Sequence, residues 1–292
     1  MELNKIHTLF LDCSVVSTDT RNIDKNALFF ALKGPNFNGN TFATQALESG
    51  AKYAVIDEVM HPINDSFILV DNVLKTLQDL ARFHRAYLGL PIVALTGSNG
   101  KTTTKELINA VLQQHYKTIA TTGNLNNHIG VPLTLLSMTA KTEVGIVEMG
   151  ANHAKEIALL CDIAKPNIGY ITNFGKAHLE GFGSEEGVMA AKSELYDYLK
   201  ANKGFVILNT DDAKQEIQVG EYSNIFSFSE FKKTSVNVKL SVSYPFLKVA
   251  LGDTLIKTNL VGVYNFHNIA AALAIGSYFK LTPQQLKLGV ES

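Results

Sequence analysis

Ile92-Val93-Ala94-Leu95-Thr96-Gly97-Ser98-Asn99-Gly100-Lys101-Thr102-Thr103-Thr104 is the stretch on which the reading of this chain turns. Four aliphatic residues bounded by turn residues read as a buried strand. Gly97 and Gly100 then allow a tight turn, and an amphipathic helix is expected from Thr103 to about Gln114. Strand, glycine loop, Lys-Thr and helix is the context a phosphate-binding loop requires. Backbone N–H groups across Gly97, Ser98, Asn99 and Gly100 can turn toward phosphate oxygens, and the helix start adds partial positive charge. Lys101 can reach β- and γ-phosphates, and the Thr102 hydroxyl can ligate Mg²⁺. The expected ligands of the run from Gly97 to Thr103 are therefore ATP and Mg²⁺. The first glycine of the general pattern G-x-x-x-x-G-K-[ST] falls on Leu95, so the motif is the shortened T-G-x-x-G-K-T. An ordinary glycine turn before a helix is the alternative, and the placement of Gly-Lys-Thr between strand and helix argues against it.

Outward from this loop, short aliphatic runs alternate with helical patterns. Tyr53–Ile56, Val144–Val147 and Ile168–Ile171 are continuous apolar runs of the kind buried parallel strands use. Their alternation with helices gives an α/β class with right-handed crossovers. The helical stretch from Val73 to Leu88 carries apolar residues at 74, 77, 80, 81 and 88 and stops at Gly89-Leu90-Pro91. A first domain is expected over 1–88 and a second over 89–292. Polar and apolar residues alternate in Val236-Asn237-Val238-Lys239-Leu240-Ser241-Val242, a half-exposed antiparallel strand signature. The stretch 222–258 is thus expected to form a β-rich insert or edge.

Composition narrows the function classes. With 292 residues, 46% apolar and 18% charged, the chain can bury sizeable cores. Its formal net charge of -1, from 26 basic and 27 acidic residues, lacks the basic footprint of a nucleic-acid binder. No apolar run of about 18 residues suggests a membrane span, and the N-terminus does not read as a signal peptide. Cys13 and Cys161 sit in no metal-like or redox-like pair, so reduced thiols and a cytoplasmic setting are the simplest expectation.

Two more strand ends carry candidate site residues. Val144–Val147 delivers Glu148-Met149-Gly150-Ala151-Asn152, and a carboxylate there stands over the crevice where α/β sheets bind ligands. Glu148 is a candidate Mg²⁺ ligand; a surface glutamate at a strand end is the plainer alternative. Ile168–Ile171 runs into Thr172-Asn173-Phe174-Gly175-Lys176-Ala177-His178-Leu179-Glu180, where His178 is either a loop histidine or a site residue. Beyond it, Ser184 suits a helix cap, with Glu185 and Glu186 at the positive end. Lys192, two turns in, reads from its position alone as a solvated charge.

Together these segments resemble the Mur ligases, the ATP-dependent amide-forming enzymes of peptidoglycan precursor synthesis. The run from Thr96 to Glu106, with its Thr-Lys-Glu tail, resembles the type that joins D-Ala-D-Ala to UDP-N-acetylmuramoyl-tripeptide. So do Glu148–Asn152, Ala177–Ser184 and Asn124-Leu125-Asn126-Asn127-His128-Ile129-Gly130-Val131-Pro132-Leu133-Thr134. The resemblance spans nearly the whole chain. It implies a small N-terminal α/β nucleotide-sugar domain and a central P-loop ATPase-like domain with a mostly parallel sheet and a β-rich edge. It implies that Lys101 and Thr102 hold ATP phosphates and Mg²⁺, and that Glu148 and His178 contact the metals. Lys192 would be the family's carbamylated lysine, an anion that binds a second Mg²⁺. Asn265 and Asn268 would lie on the adenine side, Asn124, Asn126 and Asn127 near the muramoyl-peptide end, and Thr20 and Arg21 in the nucleotide-sugar domain. A monomer is implied.

The chain departs from the family pattern in places. Tyr264 stands where histidine is frequent, His128 where an acidic residue is frequent, and Asn38-Gly39-Asn40 where Asp-Gly-His is common. Mur ligases also carry a third domain that closes over ATP, and Gly289-Val290-Glu291-Ser292 falls about where it should start, so a fragment that ligates poorly alone is expected. Three rivals remain: a sibling ligase adding the third amino acid or a folate polyglutamate or cyanophycin synthetase, a non-catalytic nucleotide-binding protein, and a generic P-loop phosphohydrolase.

Overall fold

The structure is a computed structural model that describes residues 2–60, 64–175 and 179–292. It divides into two compact units, Met1–Gly89 with Pro132–Thr139, and Leu90–Val131 with Ala140–Ser292. The chain passes into the second unit at Gly89/Leu90. The segment Pro132–Thr139, which the sequence reading leaves in the second domain, clusters with the first unit. His84, on the helix Val73–Leu88, hydrogen-bonds through Nε2 to the Met138 carbonyl at 2.9 Å.

Among its described residues, the first unit holds a four-stranded sheet in the order Val16–Ser17, Leu28–Phe30, Tyr53–Ile56, Phe67–Leu69, with every pairing parallel. Parallel strands are covered on both faces, and Leu28–Phe30 is buried at all three positions. The helix Val73–Leu88 starts where the Asn72 side chain accepts from the Lys75 N–H at 2.7 Å, and it stops at Gly89 with φ +64°.

In the second unit the described residues form a nine-stranded sheet. Its order is Thr254–Lys257, Lys248–Leu251, Val236–Val242, Ile225–Ser229, Phe205–Asn209, Ile168–Ile171, Ile92–Thr96, Val144–Glu148, Thr118–Ala120. Pairings are parallel from Val236–Val242 through to Thr118–Ala120 and antiparallel beyond it. Ile92–Thr96 and Val144–Glu148 are buried at every position, whereas Val236–Val242 alternates, as a strand with one wet face must. Only its far side is antiparallel: it pairs parallel with Ile225–Ser229, so the antiparallel edge begins later than the sequence pattern suggests.

The helix Lys101–Leu112 starts two residues before the sequence expectation. Gly100 takes φ +77°, a left-handed conformation open to glycine, so the helix can begin at once after the turn. Two further helices hold it in place. Asn265–Tyr278 is almost wholly buried and rich in alanine, which permits close helix approach. Gly289, on Pro283–Glu291, sits where an added Cβ would lie 2.5 Å from the Val111 Cα. Among the described residues no helix is long and apolar enough to cross a membrane.

Candidate active site

Sheet register brings three strand ends together. Leu95 pairs with Glu148 on one side and Thr96 with Ile171 on the other. Gly97, Met149 and Thr172 therefore leave the sheet side by side, although they lie far apart in sequence.

The segment after Ile171 props the glycine loop. Thr172 Oγ1 and Asn173 Nδ2 donate to the Asn99 carbonyl at 2.6 and 3.0 Å. Ser98 N–H donates to the Asn173 carbonyl at 3.1 Å, and Asn99 N–H to Asn173 Oδ1 at 3.1 Å. The Ser98 hydroxyl donates to the Gly175 carbonyl at 2.8 Å and accepts the Gly175 N–H. A Cβ at Gly97 would stand 1.9 Å from Thr172 Oγ1, so this close approach requires glycine. Ser98 and Asn99 thus spend their N–H groups on loop geometry. The donors left to face an anion are those of Gly97 and Gly100 and of the first helical turn, Lys101 to Thr103, which have no intrahelical partner.

Lys101 folds back on the glycine turn, donating to the carbonyls of Gly97 at 2.8 Å and Ser98 at 3.4 Å. Burial pulls its pKa below the ordinary lysine value, while the Glu148 charge opposes that shift. Glu148 is 1% exposed. Its N–H donates to Thr121 Oγ1 at 3.0 Å, and its Oε1 accepts from Asn126 Nδ2 at 2.8 Å. Its Oε2 is buried and has no partner among the described residues. A buried carboxylate oxygen left bare costs free energy unless something cationic meets it. A hard dication would suit that oxygen, and the exposed Thr102 lies on the helix start next to Lys101. Among the described residues no three His, Cys, Asp or Glu side chains form a cage. Asn124, Asn126, Asn127, His128, Asn152 and Lys101 all border one cavity of about 500 Å³.

Lys192 is not the solvated charge its position alone suggests; it is 1% exposed. It falls in the buried stripe Val188, Lys192, Leu195, Tyr196, Leu199 of the helix Glu185–Ala201, whose start the Ser184 hydroxyl caps. That helical spacing is the signal in the sequence that could have revealed its burial. Its Nζ donates to the Ala151 carbonyl at 3.3 Å. Burial, with help from the Lys101 charge, pulls its pKa down to about 8.

The remaining candidates divide. His178 lies outside the described residues. Asn265 and Asn268 are buried and spend their amides on one another: Asn268 Nδ2 donates to Asn265 Oδ1 at 2.8 Å. Asn268 Oδ1 accepts the Thr104 hydroxyl at 3.0 Å, and Asn265 Nδ2 donates to the Val261 carbonyl at 2.9 Å. They brace the phosphate-loop helix, and Asn268 also borders a second cavity of about 430 Å³ with Thr172, Asn209, Lys214, Tyr264 and His267. In the first unit, Arg21 is exposed and held by its neighbour Asp19 at 2.6 Å, and Thr20 lies between them in sequence. Asn40 is fully engaged with Asn38, Asp57 and Glu58.

Sequence reasoning assigned no role to Thr172, Asn173 or Gly175, nor to two carboxylates that shape the loop after Glu148. Glu156 accepts the N–H groups of Asn152 and His153, and Glu194 those of Lys155 and Ala158. Glu194 follows Lys192 by two residues, so one helix carries both the buried lysine and the clamp on the loop facing it.

The Mur ligase middle domain matches residues 95–276, and the Mur ligase family catalytic domain matches residues 12–85. The UDP-N-acetylmuramoyl-tripeptide–D-alanyl-D-alanine ligase of Bacillus subtilis is 35% identical over 277 residues, 94% of this chain and 61% of the relative. MurF from Acinetobacter baumannii superposes with a TM-score of 0.80 at 30% identity, covering 95% of this chain and 62% of that one. MurF from Thermotoga maritima, solved in complex with ADP, gives 0.80 at 29% identity, covering 96% of this chain and 66% of that one. The chain thus spans a little over three-fifths of the length of the curated relative.

Proposed function

The chain belongs to the Mur ligase family, and from that membership we propose that it serves ATP-dependent joining of D-Ala-D-Ala to UDP-N-acetylmuramoyl-tripeptide. The observation that carries this reading is the single cavity bordered by Lys101 and the three asparagines, beside the bare Glu148 oxygen. One wall suits a nucleotide phosphate, and the other offers amides to a peptide carboxylate.

In this reading the γ-phosphoryl group passes to the carboxylate at the end of the precursor peptide. The dipeptide amine then attacks the acyl phosphate, phosphate leaves and an amide remains. Lys101 exchanges its loop carbonyls for phosphate oxygens and neutralises charge on the transferred group. The first helical turn donates its N–H groups to the same oxygens. Asn126 holds Glu148 at one oxygen, which leaves the other free to ligate a cation. Mg²⁺, when bound by Thr102 and Glu148, neutralises phosphate charge. Lys192 in its neutral form is the amine that CO₂ would convert to a carbamate, a second anionic metal ligand. The cavity bordered by Tyr264, His267 and Asn268 suits the nucleoside end of ATP. Thr20 and Arg21 belong to the proposed nucleotide-sugar domain.

The test is calorimetric titration with UDP-N-acetylmuramoyl-tripeptide, its dipeptide precursor and free UDP. Preference for the tripeptide form is expected. Equal or dipeptide-favoured binding would point to a sibling ligase, and no binding by any of them would remove the proposal for the first unit.

A further inference from the structure

Lys105 is a lysine with no exposed surface, placed on the phosphate-loop helix one turn after Lys101. The proposed reaction makes no use of it. Its ammonium donates to the Thr121 carbonyl at 2.7 Å and meets the exposed Glu106 carboxylate at 2.8 Å. Thr121 is itself buried and stands at a junction. Its N–H donates to the Ile146 carbonyl at 2.9 Å, and its Oγ1 accepts the Glu148 N–H at 3.0 Å. It also opens the loop that carries Asn124, Asn126 and Asn127. That loop closes back on the same strand end, because Asn126 holds the Glu148 carboxylate and its carbonyl accepts the Gly150 N–H at 2.8 Å.

From this chain of contacts we infer that Lys105 is a positioning residue, tying the phosphate-loop helix through Thr121 to Glu148 and to the start of the asparagine loop. A buried ammonium is an expensive way to fill space, since an apolar side chain would pack there without needing donors satisfied. Its return is a strong, charge-assisted bond to a carbonyl at a place where two site segments diverge. The helix that holds phosphate and the strand end that holds metal are thereby set in one register. The functional consequence rests on the reading of Glu148 as a metal ligand; the positioning itself does not.

Hydrogen exchange on the unliganded chain tests the positioning directly. In Lys105→Met, amides in 118–127 and 144–150 should exchange about tenfold faster, the scale of one lost charged hydrogen bond. The strand Phe205–Asn209 should keep its protection. Thr121→Val keeps the carbonyl and removes the hydroxyl, so it should loosen 144–150 alone, and Thr121→Ser should restore it. Lys105→Gln, shorter and uncharged, should accelerate exchange in 118–127 and 144–150 in milder form and decides the role of Lys105 if Lys105→Met does not fold; the valine and serine variants decide the onward link from Thr121 to Glu148. Unchanged exchange at 144–150 in Thr121→Val, or acceleration spread evenly over the sheet, overturns the inference. Separately, Lys105→Met should weaken Mg²⁺-dependent ADP binding about tenfold and leave metal-free binding unchanged. If the parent chain shows no Mg²⁺ dependence at all, the metal reading of Glu148 fails, while the exchange data still decide the role of Lys105.

Discussion

The side-chain amide of Asn126 donates to one carboxylate oxygen of Glu148 at 2.8 Å, and the other oxygen lies buried with no partner among the described residues. Asn126 orients the carboxylate, and a buried oxygen without a partner makes that orientation costly. Stability has been given up where a cation would restore it.

Glu148→Gln should therefore separate stability from binding. Removing the charge relieves an unpaired buried oxygen, so the melting temperature should hold or rise, by the equivalent of up to about 1–3 kcal/mol. Mg²⁺-dependent ADP affinity should fall at least tenfold. A clear drop in melting temperature would show that the carboxylate is already compensated.

For Lys101→Met the same logic gives a loss of ADP affinity of about 1.5–3 kcal/mol, the scale of a hydrogen bond to a charged group. Without added nucleotide the variant should not be destabilised, because burial already disfavours this ammonium. Calorimetry and a thermal melt on the same samples check both halves; unchanged affinity would remove Lys101 from the phosphate site.

Lys192 makes stability depend on pH. Its pKa is about 8 in the folded chain against the ordinary 10.5, so the folded state binds fewer protons between those values. Stability attributable to this group must then rise with pH across about 8 to 10.5, and its penalty is complete below about 8. The penalty is about 3 kcal/mol. Denaturant titrations of the parent chain and Lys192→Met should show the variant more stable near pH 7, with the gap closing by about pH 10.5. A gap independent of pH would mean that packing alone is responsible. In a protein competent for ligation, Lys192→Ala should be severe and partly recovered by small carboxylates; absence of recovery would weaken the carbamate proposal.

Asn268→Ala should act on the loop before it acts on any ligand. It strands the Asn265 carbonyl oxygen and removes the acceptor of the Thr104 hydroxyl, a cost of about 1–3 kcal/mol. Unfolding in denaturant should register that loss without nucleotide present. Full stability with reduced ADP affinity would instead make Asn268 a direct nucleotide contact.

Short-range pattern determined a good deal of this protein. Continuous aliphatic runs placed Ile92–Thr96, Val144–Glu148 and Ile168–Ile171, because a strand covered on both faces needs no polar alternation. Gly97, Gly100 and Lys101-Thr102 announced the glycine turn between strand and helix, because the turn and the charge both come from adjacent residues. Gly89 marked the end of one helix for the same local reason, while the Asn72 cap at its start emerged from the structure. What the tertiary structure alone decided depends on partners far away in the chain. The bare oxygen of Glu148 exists because Asn126 takes one side and no described residue meets the other. Asn173 claims the N–H groups of Ser98 and Asn99 because register sets Ile171 beside Thr96. The buried ammonium of Lys105 points at Thr121 because a helix crosses the sheet there. Propensity and periodicity act over a few residues, whereas the desolvation and pairing of polar groups are settled by packing, and in this chain packing made the site.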